Sequence, residues 1–200
     1  LVVAGGPNLE LSKSRRADFL KKHTYVDICV LYDGEIPFAE IVKQFLSCKS
    51  ISQLRSNPVP GTYGLDPHTN EFVDSGDIPP RLNTLDIFGP MYLNGVFDEL
   101  LDEGFQPFMQ THRGCPFSCS FCHTGDPYYS RIAFMSPEIF KQDMEYLGNR
   151  FSGQNNVTLY ITNTNMSLFK EDFPIAEVIR QIQEKYNWPK LINVNSGKDP

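Results

Sequence analysis

Three cysteines stand within eight residues near the middle of the chain, in a Cys-x3-Cys-x2-Cys pattern formed by Cys115, Cys119 and Cys122. Cysteine thiolates are the usual ligands of iron–sulfur clusters, and three of them can each bind one iron of a cubane 4Fe–4S cluster. The fourth iron then lacks a protein ligand and is open to a small molecule. Gly114 and Pro116 favour an irregular path of the chain around such a cluster. The spacing therefore predicts a metal site with an open coordination position.

A structural zinc site is the alternative, with the three cysteines and either His123 or His112 as ligands. Closed zinc sites usually combine cysteine pairs that are well apart in sequence. The sequence has no second such pair, and His123 directly follows Cys122, which is a poor position for binding the same metal. The iron–sulfur interpretation is therefore favoured. The two remaining cysteines, Cys29 and Cys48, are expected to be buried small residues.

The composition is that of a chain able to bury a core, with 40% hydrophobic and 21% charged residues in a length of 200. No uninterrupted apolar run approaches the ~20 residues that a membrane-spanning helix needs, so no membrane partner is expected. The formal net charge of −6, without a basic block, disfavours nucleic acid as a partner. Five cysteines, an odd number with three of them clustered, predict a reducing compartment and hence a cytoplasmic protein.

The elements that would position these residues alternate between strand and helix. Residues 1–56 have buried-strand patterns at Leu1–Ala4 and Tyr25–Leu31. An amphipathic helix is predicted over Phe38–Leu46, with its buried stripe at Phe38, Ile41, Val42 and Phe45. Alternation of this kind implies parallel pairing, so this part is expected to be the end of an open α/β sheet. The chain opens on a strand and closes just after another, which we interpret as a piece of a longer polypeptide.

Residues 57–105 are rich in proline and glycine and are interpreted as an inter-domain linker, with a short hairpin of Thr62–Leu65 and Glu71–Val73. Strand and helix alternate again over residues 106–200. This last part is predicted to contain three strands and two helices: strands Phe108–Thr111, Val157–Thr162 and Leu191–Val194, a helix that begins at Ser136-Pro137, and a helix over Asp172–Tyr186. The cysteine motif follows the first of these strands.

The segment 113–122, with its Cys-x3-Cys-x-aromatic-Cys pattern, resembles the cluster-binding loop of the radical S-adenosylmethionine superfamily. The resemblance implies a 4Fe–4S cluster held by Cys115, Cys119 and Cys122, with the amino and carboxylate groups of S-adenosylmethionine on the fourth iron. It also implies that Phe121, at the aromatic position, lies against the adenine. One-electron reduction would then cleave S-adenosylmethionine and release a 5′-deoxyadenosyl radical, which abstracts hydrogen from a substrate.

The resemblance extends over essentially the whole chain to the cobalamin-binding branch of this superfamily. Gly5 and Gly6 follow the first strand and resemble the turn that packs along the cobalamin nucleotide tail, where glycine permits close approach. The implied fold is α/β: the C-terminal part of a Rossmann-like cobalamin-binding-type domain (1–56), the linker (57–105), and the first strands of a partial (β/α) radical S-adenosylmethionine barrel (106–200). The family's Asp-x-His-x-x-Gly motif is not found in these 200 residues, so cobalamin is expected in the intact enzyme but weakly or not at all on this chain alone.

Asn163 and Asn165 end the second barrel strand, where the resemblance implies contacts with the methionine part of S-adenosylmethionine. Relatives often have Asp-x-Asn-Phe-Gly there, so this sequence departs from the pattern at Asn163, Met166 and Ser167. An amide oxygen accepts a hydrogen bond from an ammonium group but carries no charge. Asn163 is therefore expected to hold the amino group less strongly than an aspartate would.

The implied function is reductive cleavage of S-adenosylmethionine for hydrogen abstraction, with cobalamin-dependent methyl transfer or a rearrangement as outcomes in the intact enzyme. The expected partners are a small-molecule or unknown substrate and an electron donor such as flavodoxin or ferredoxin. Two alternatives stay open: a non-catalytic module with a structural iron–sulfur or zinc site, and a methylthiotransferase of transfer RNA or ribosomal protein. The latter would need a second cysteine-bound cluster, for which Cys29 and Cys48 lack the context.

Overall fold

Helices and strands alternate along the chain in the computed structural model, which describes residues 1–66, 69 and 71–196. Pro67, His68 and Asn70 of the predicted linker and residues 197–200 of the predicted barrel segment lie outside the described residues. The chain divides into two compact units, Leu1–Arg81 and Leu82–Pro200. Within the described part, no helix is both long enough and apolar enough to cross a membrane.

The first unit contains a four-stranded sheet in the order β1-β2-β3-β4. Its elements are β1 (Val3–Ala4), α1 (Lys13–Lys22), β2 (Ile28–Val30), α2 (Glu35–Cys48), α3 (Ile51–Ser56), β3 (Thr62–Leu65) and β4 (Phe72–Asp74). β1 and β2 pair in parallel, as the alternation of strand and helix predicts, whereas β3 and β4 form an antiparallel hairpin on β2. The predicted hairpin is confirmed within one residue, and it extends this sheet.

Both faces of this sheet are buried, because successive side chains of β2 point to opposite sides. Ile28 and Val30 pack with Ile41 of α2, while Cys29 packs with Leu20 of α1 on the other face. The predicted stripe of α2 is only partly right. Ile41 is buried and Phe45 packs against it, but Phe38 and Val42 are exposed.

The second unit is built on three parallel strands in the order β5-β8-β9. Its elements are α4 (Asp98–Asp102), β5 (Phe108–Met109), β6 (His112–Arg113), β7 (Ala133–Phe134), α5 (Pro137–Arg150), β8 (Thr158–Met166), α6 (Asp172–Tyr186) and β9 (Leu191–Ser196). β6 and β7 form a separate antiparallel pair. The predicted order of strand, cysteine motif, helix, strand, helix, strand is confirmed.

Helices α5 and α6 bury one face each against β8, as their apolar periodicity predicts. The Ser136 side chain caps α5 by accepting a hydrogen bond from the Ile139 amide at 3.4 Å, and Pro137 occupies the first turn. The buried apolar side chains of the two helices are those of Phe140, Met144, Leu147, Ile175, Val178, Ile179 and Ile182. Leu159 and Ile161 of β8 belong to the same core.

The stretch 57–105, predicted as a linker, is divided between the two units at Arg81 and Leu82. Its first part supplies β3 and β4 to the first sheet. Its second part buries Leu82, Leu85, Tyr92 and Leu101 in the core of the second unit. The physical reason is that burial of the apolar side chains between the prolines and glycines is favourable. This stretch therefore packs into the two units and does not form an extended connection between them.

Candidate metal centre

The three cysteines of the motif lie on the loop between β6 and β7, at the carboxyl-terminal side of the parallel sheet of the second unit. Cys115 is buried at the base of the loop, whereas Cys119 and Cys122 are exposed. None of the three takes part in a disulfide. Functional sites of barrels built from parallel strands form at this end of the strands. The structure therefore brings the predicted ligands to one loop in the expected place.

Backbone hydrogen bonds give this loop a defined path. The Cys115 amide donates to the Tyr129 carbonyl at 2.9 Å, which ties the start of the loop to the turn that follows it. The Cys122 amide donates to the Cys119 carbonyl at 3.1 Å, and the Gly125 amide donates to the Cys122 carbonyl at 3.0 Å. These two turns set the separation of the second and third cysteines.

Gly125 is required by close contact between two backbone segments. A Cβ atom at this position would lie 2.3 Å from the Cys119 carbonyl oxygen and 3.0 Å from its amide nitrogen. Both neighbours are backbone atoms, so no side chain can move away to make room. Any larger residue at position 125 would therefore displace the segment that carries Cys119.

Two polar side chains contact the sulfur atoms of the motif. The Thr124 hydroxyl lies 3.2 Å from the Cys122 Sγ, and this hydrogen bond is the main reason that the pKa of Cys122 is lower than that of an ordinary thiol. On the other side of the loop, the Asn165 Nδ2 donates to the Cys115 Sγ at 3.2 Å. The lowered pKa favours the thiolate of Cys122, which is the form that binds metal.

The donor set fits an iron–sulfur cluster by its chemistry. Among residues 1–66, 69 and 71–196, no three side chains of His, Cys, Asp or Glu form a group that could hold a single metal ion. A cubane cluster does not require such a group, since each cysteine binds a different iron of the cluster. Three free thiols on one loop with a defined backbone path match that requirement.

The two histidines considered as zinc ligands both have partners inside the protein. The His123 Nε2 lies 2.8 Å from the Tyr129 hydroxyl. The His112 side chain is fully buried, with its Nδ1 at 3.2 Å from the Asp172 carboxylate. Burial lowers the pKa of His112 below its ordinary value of 6.5, against the opposing attraction of the Asp172 carboxylate.

Asn163, predicted to contact S-adenosylmethionine, is fully buried and its amide is used within the protein. Its Oδ1 accepts hydrogen bonds from the backbone amides of Thr111 at 2.8 Å and His112 at 3.1 Å. Its Nδ2 donates to the Thr111 hydroxyl at 2.7 Å. In this structure the side chain holds the chain just before the cysteine loop and is not presented to a ligand.

The other two residues predicted to bind S-adenosylmethionine lie close to the cysteine motif. Phe121 is 91% exposed, so its ring is available to a ligand. Asn165 is half-buried and is directed at the Cys115 sulfur. The structure thus brings Asn165 to the cluster loop, while the ligand-binding roles of both residues stay predictions.

The predicted cobalamin-side turn lies in the first unit, where β1 ends. Gly5 lines an open cavity of about 350 Å³ together with Val3, Val30, Gly34 and Phe38. Gly6 has a φ of +94°, a conformation that side chains rarely adopt, which explains a glycine at this position. A Cβ on Gly5 would come no closer than 3.8 Å to the Val30 carbonyl oxygen, so contacts within the chain do not require a glycine at position 5. Crevices at the carboxyl ends of parallel strands are the usual ligand sites of such sheets.

The proteins to which this chain is similar include two curated relatives and a solved structure. The 2-(S-pantetheinyl)-carbapenam-3-carboxylate methyltransferase of Streptantibioticus cattleyicolor is 30% identical over 212 aligned residues. The cobalamin-dependent radical SAM methyltransferase TokK of Streptomyces tokunonensis is 30% identical over 205. Each alignment covers 100% of this chain. Over its whole length, the chain is therefore similar to a part of each of these two methyltransferases.

The fold agrees with this relationship. The structure of the cobalamin-dependent S-adenosylmethionine radical enzyme OxsB matches 96% of the chain with a TM-score of 0.58 at 15% identity. The predicted α/β fold is confirmed by this match, since the chain folds like a part of that enzyme. No family model matches the chain. The chain spans 28% of the length of each curated relative and 25% of the OxsB chain.

Sequence reasoning missed three residues that shape this site, Thr124, Gly125 and Asp172, and it considered His112 only as a zinc ligand. Thr124 and Gly125 directly follow the motif, so their nearness to it was a usable signal. His112 and Asp172 are 60 positions apart, and no periodic pattern joins them. Only the parallel pairing of β5 and β8 and the start of α6 bring them together.

Proposed function

We propose that this chain carries the cluster-binding part of a radical S-adenosylmethionine enzyme. In this proposal Cys115, Cys119 and Cys122 hold a 4Fe–4S cluster, and S-adenosylmethionine binds the open iron. The observation that carries the proposal is the set of three free thiols on one loop at the carboxyl end of a parallel sheet. The similarity to two methyltransferases, of which TokK is named as a cobalamin-dependent radical SAM enzyme, adds support.

When bound, the cluster would supply the electron that cleaves S-adenosylmethionine and releases a 5′-deoxyadenosyl radical. The residues of this chain would hold and orient the reactants. The buried Cys115 and its donor Asn165 would anchor one side of the cluster. Phe121, exposed on the loop, offers an aromatic face on which the adenine can stack.

Methyl transfer by way of cobalamin is the proposed outcome in the intact enzyme, by analogy with the relatives. Both are named as methyltransferases, and TokK is named as cobalamin-dependent. The cavity beside Gly5 is the proposed contact of this chain with the cobalamin tail. Its lining is largely apolar and its volume is small for a cofactor of that size. We therefore expect the 200-residue chain to bind cobalamin weakly or not at all. A small-molecule substrate and an electron donor such as flavodoxin or ferredoxin complete the proposal.

One observation favours a non-catalytic module as the second candidate. The Asn163 amide, which the resemblance assigns to the methionine part of the cofactor, is occupied by the backbone amides of Thr111 and His112. A chain that had lost this contact could keep a cluster for structural reasons alone. The two candidates differ in whether the cluster responds to S-adenosylmethionine.

Anaerobic reconstitution of the full chain with iron and sulfide tests the metal assignment. Wild-type protein should take up about four iron atoms per chain, and zinc should not compete for the site. Cys119→Ala should abolish uptake, whereas the matched change Cys48→Ala, at a cysteine outside the motif, should leave it unchanged. A zinc ion bound by the three motif cysteines, with no iron retained, would overturn the proposal.

A further inference from the structure

Strand β8 continues past its predicted end and runs beside the cysteine loop. Thr162 was predicted as its last residue, but the strand extends to Met166. Because β5 and β8 are parallel, the end of β8 and the start of the loop after β5 meet at the same edge of the sheet. The last residues of β8 are thereby brought to the cysteines.

Asn163 fixes the register between this strand and the loop. Its side chain binds the backbone amides of Thr111 and His112, four and three residues before Cys115. These hydrogen bonds lie in a fully buried site, so they hold the entry of the loop firmly in place. Asn165, two residues further along the strand, is thereby held at a constant distance from Cys115.

The Asn165 side chain donates a hydrogen bond from its Nδ2 to the Cys115 Sγ, at 3.2 Å. Cys115 is the one buried cysteine of the motif, so water competes less for its sulfur than for those of Cys119 and Cys122. Hydrogen bonds to cysteine sulfur are one of the factors that set the reduction potential of an iron–sulfur cluster. Residues that bind a ligand atom from outside the ligand set also orient that ligand.

We propose that Asn165 is a positioning residue for the cluster, which acts through the Cys115 sulfur. Its N–H group stabilises the additional negative charge that the cluster gains on reduction, and so raises the midpoint potential. This inference rests on the proposed function, since it needs the cluster on Cys115. It differs from the contact with S-adenosylmethionine that the resemblance implies for Asn165.

The test is a redox titration of the reconstituted chain, without S-adenosylmethionine, followed by EPR of the reduced cluster. Asn165→Leu removes the donor at similar side-chain volume, and Asn165→Asp replaces it with a charged acceptor. Both variants should bind iron and have a lower midpoint potential than wild type, with the larger shift for Asn165→Asp. The matched control Asn156→Asp, at an exposed position before β8, should keep the wild-type potential.

Two results would overturn the inference, and they are distinguishable. A wild-type chain that assembles no cluster would overturn both this inference and the proposed function. A cluster that forms in all four proteins at one common potential would overturn the role of Asn165 and leave the proposed function standing. In that second case, the EPR response to S-adenosylmethionine is measured as well. If the Asn165 variants keep the wild-type potential but respond less to S-adenosylmethionine, the residue acts on the cofactor and not on Cys115.

Discussion

At the scale of single residues, Asn163 shows how a polar side chain can belong to a core. It follows Leu159 and Ile161 on the face of β8 that packs against the helices, since alternate residues of a strand share a face. That face is closed to solvent, so the Asn163 amide is satisfied by protein groups. Its burial thus follows from the face of β8 on which the pairing of the strand places it.

Asn163→Ala should destabilise the second unit by about 2–4 kcal/mol, because it leaves two buried backbone amides without an acceptor. The free energy of unfolding, measured by urea denaturation, checks this expectation. Asn156→Ala, the same change at an exposed position, should shift it by less than about 0.5 kcal/mol. Equal effects of the two substitutions would show that the Asn163 hydrogen bonds contribute nothing.

His112 should make stability depend on pH. Burial lowers its pKa in the folded chain below 6.5, so the unfolded chain binds a proton first as the pH falls. The folded chain therefore has its full stability above about pH 6.5 and loses stability as the pH falls below that value towards the lowered pKa of the folded state. The loss comes from the cost of charging a buried imidazole.

Comparison of the free energy of unfolding at pH 7.5 and pH 5.5 measures this effect. The loss on acidification should be smaller in His112→Gln than in wild type, whatever the stability of the variant at pH 7.5. His23 lies in the first unit and is only half-buried. The His23→Gln variant should therefore lose as much free energy of unfolding on acidification as the wild type. An unchanged loss in His112→Gln would assign the pH dependence to other groups.

The three motif cysteines could be predicted from sequence because their spacing alone indicates the chemistry. The roles of Asn163 and Asn165 could not. Asn163 reaches its partner Thr111 across 52 positions, and Asn165 reaches Cys115 across 50. Which face of β8 each side chain takes depends on the pairing of β8 with its neighbours and on the irregularity between Ile161 and Met166.

At the scale of elements, the cysteine loop depends on the contact between Gly125 and Cys119. Gly125→Ala should lower iron uptake several-fold, because the new Cβ would overlap the Cys119 carbonyl. Iron content after anaerobic reconstitution is the measurement. Gly34→Ala is the control, since a Cβ there would meet only the Val30 side chain at an ordinary 3.5 Å. Full iron uptake by Gly125→Ala would mean that the loop tolerates displacement.

The long helices were the elements best predicted from sequence. Periodic apolar residues and the Ser136-Pro137 start located α5, and the same periodicity located α6. In α2 the apolar periodicity predicted the helix correctly, but the predicted burial of Phe38 and Val42 was wrong. Phe38 lines an open cavity and Val42 faces solvent. The pairing of the β3–β4 hairpin with β2 was missed, because antiparallel pairing of a short hairpin leaves no distinctive signal in a stretch rich in proline and glycine.

At the scale of the whole molecule, the two units have separate cores and should respond separately to core substitutions. Ile41→Ala in the first unit and Leu159→Ala in the second each remove a fully buried side chain and should cost about 2–5 kcal/mol. Hydrogen exchange monitored by mass spectrometry should become faster only within Leu1–Arg81 for the first variant and only within Leu82–Pro200 for the second. Faster exchange in both units from either substitution would mean that they unfold as one.

The central claim is that the cysteine loop holds a cluster whose open iron binds S-adenosylmethionine. EPR of the reconstituted and reduced chain, with and without S-adenosylmethionine, tests it most directly. A ligand that coordinates iron changes the electronic structure of the cluster, so the account predicts a 4Fe–4S signal whose shape changes when S-adenosylmethionine is added. A cluster signal that stays the same in the presence of S-adenosylmethionine would contradict the account and favour a structural cluster.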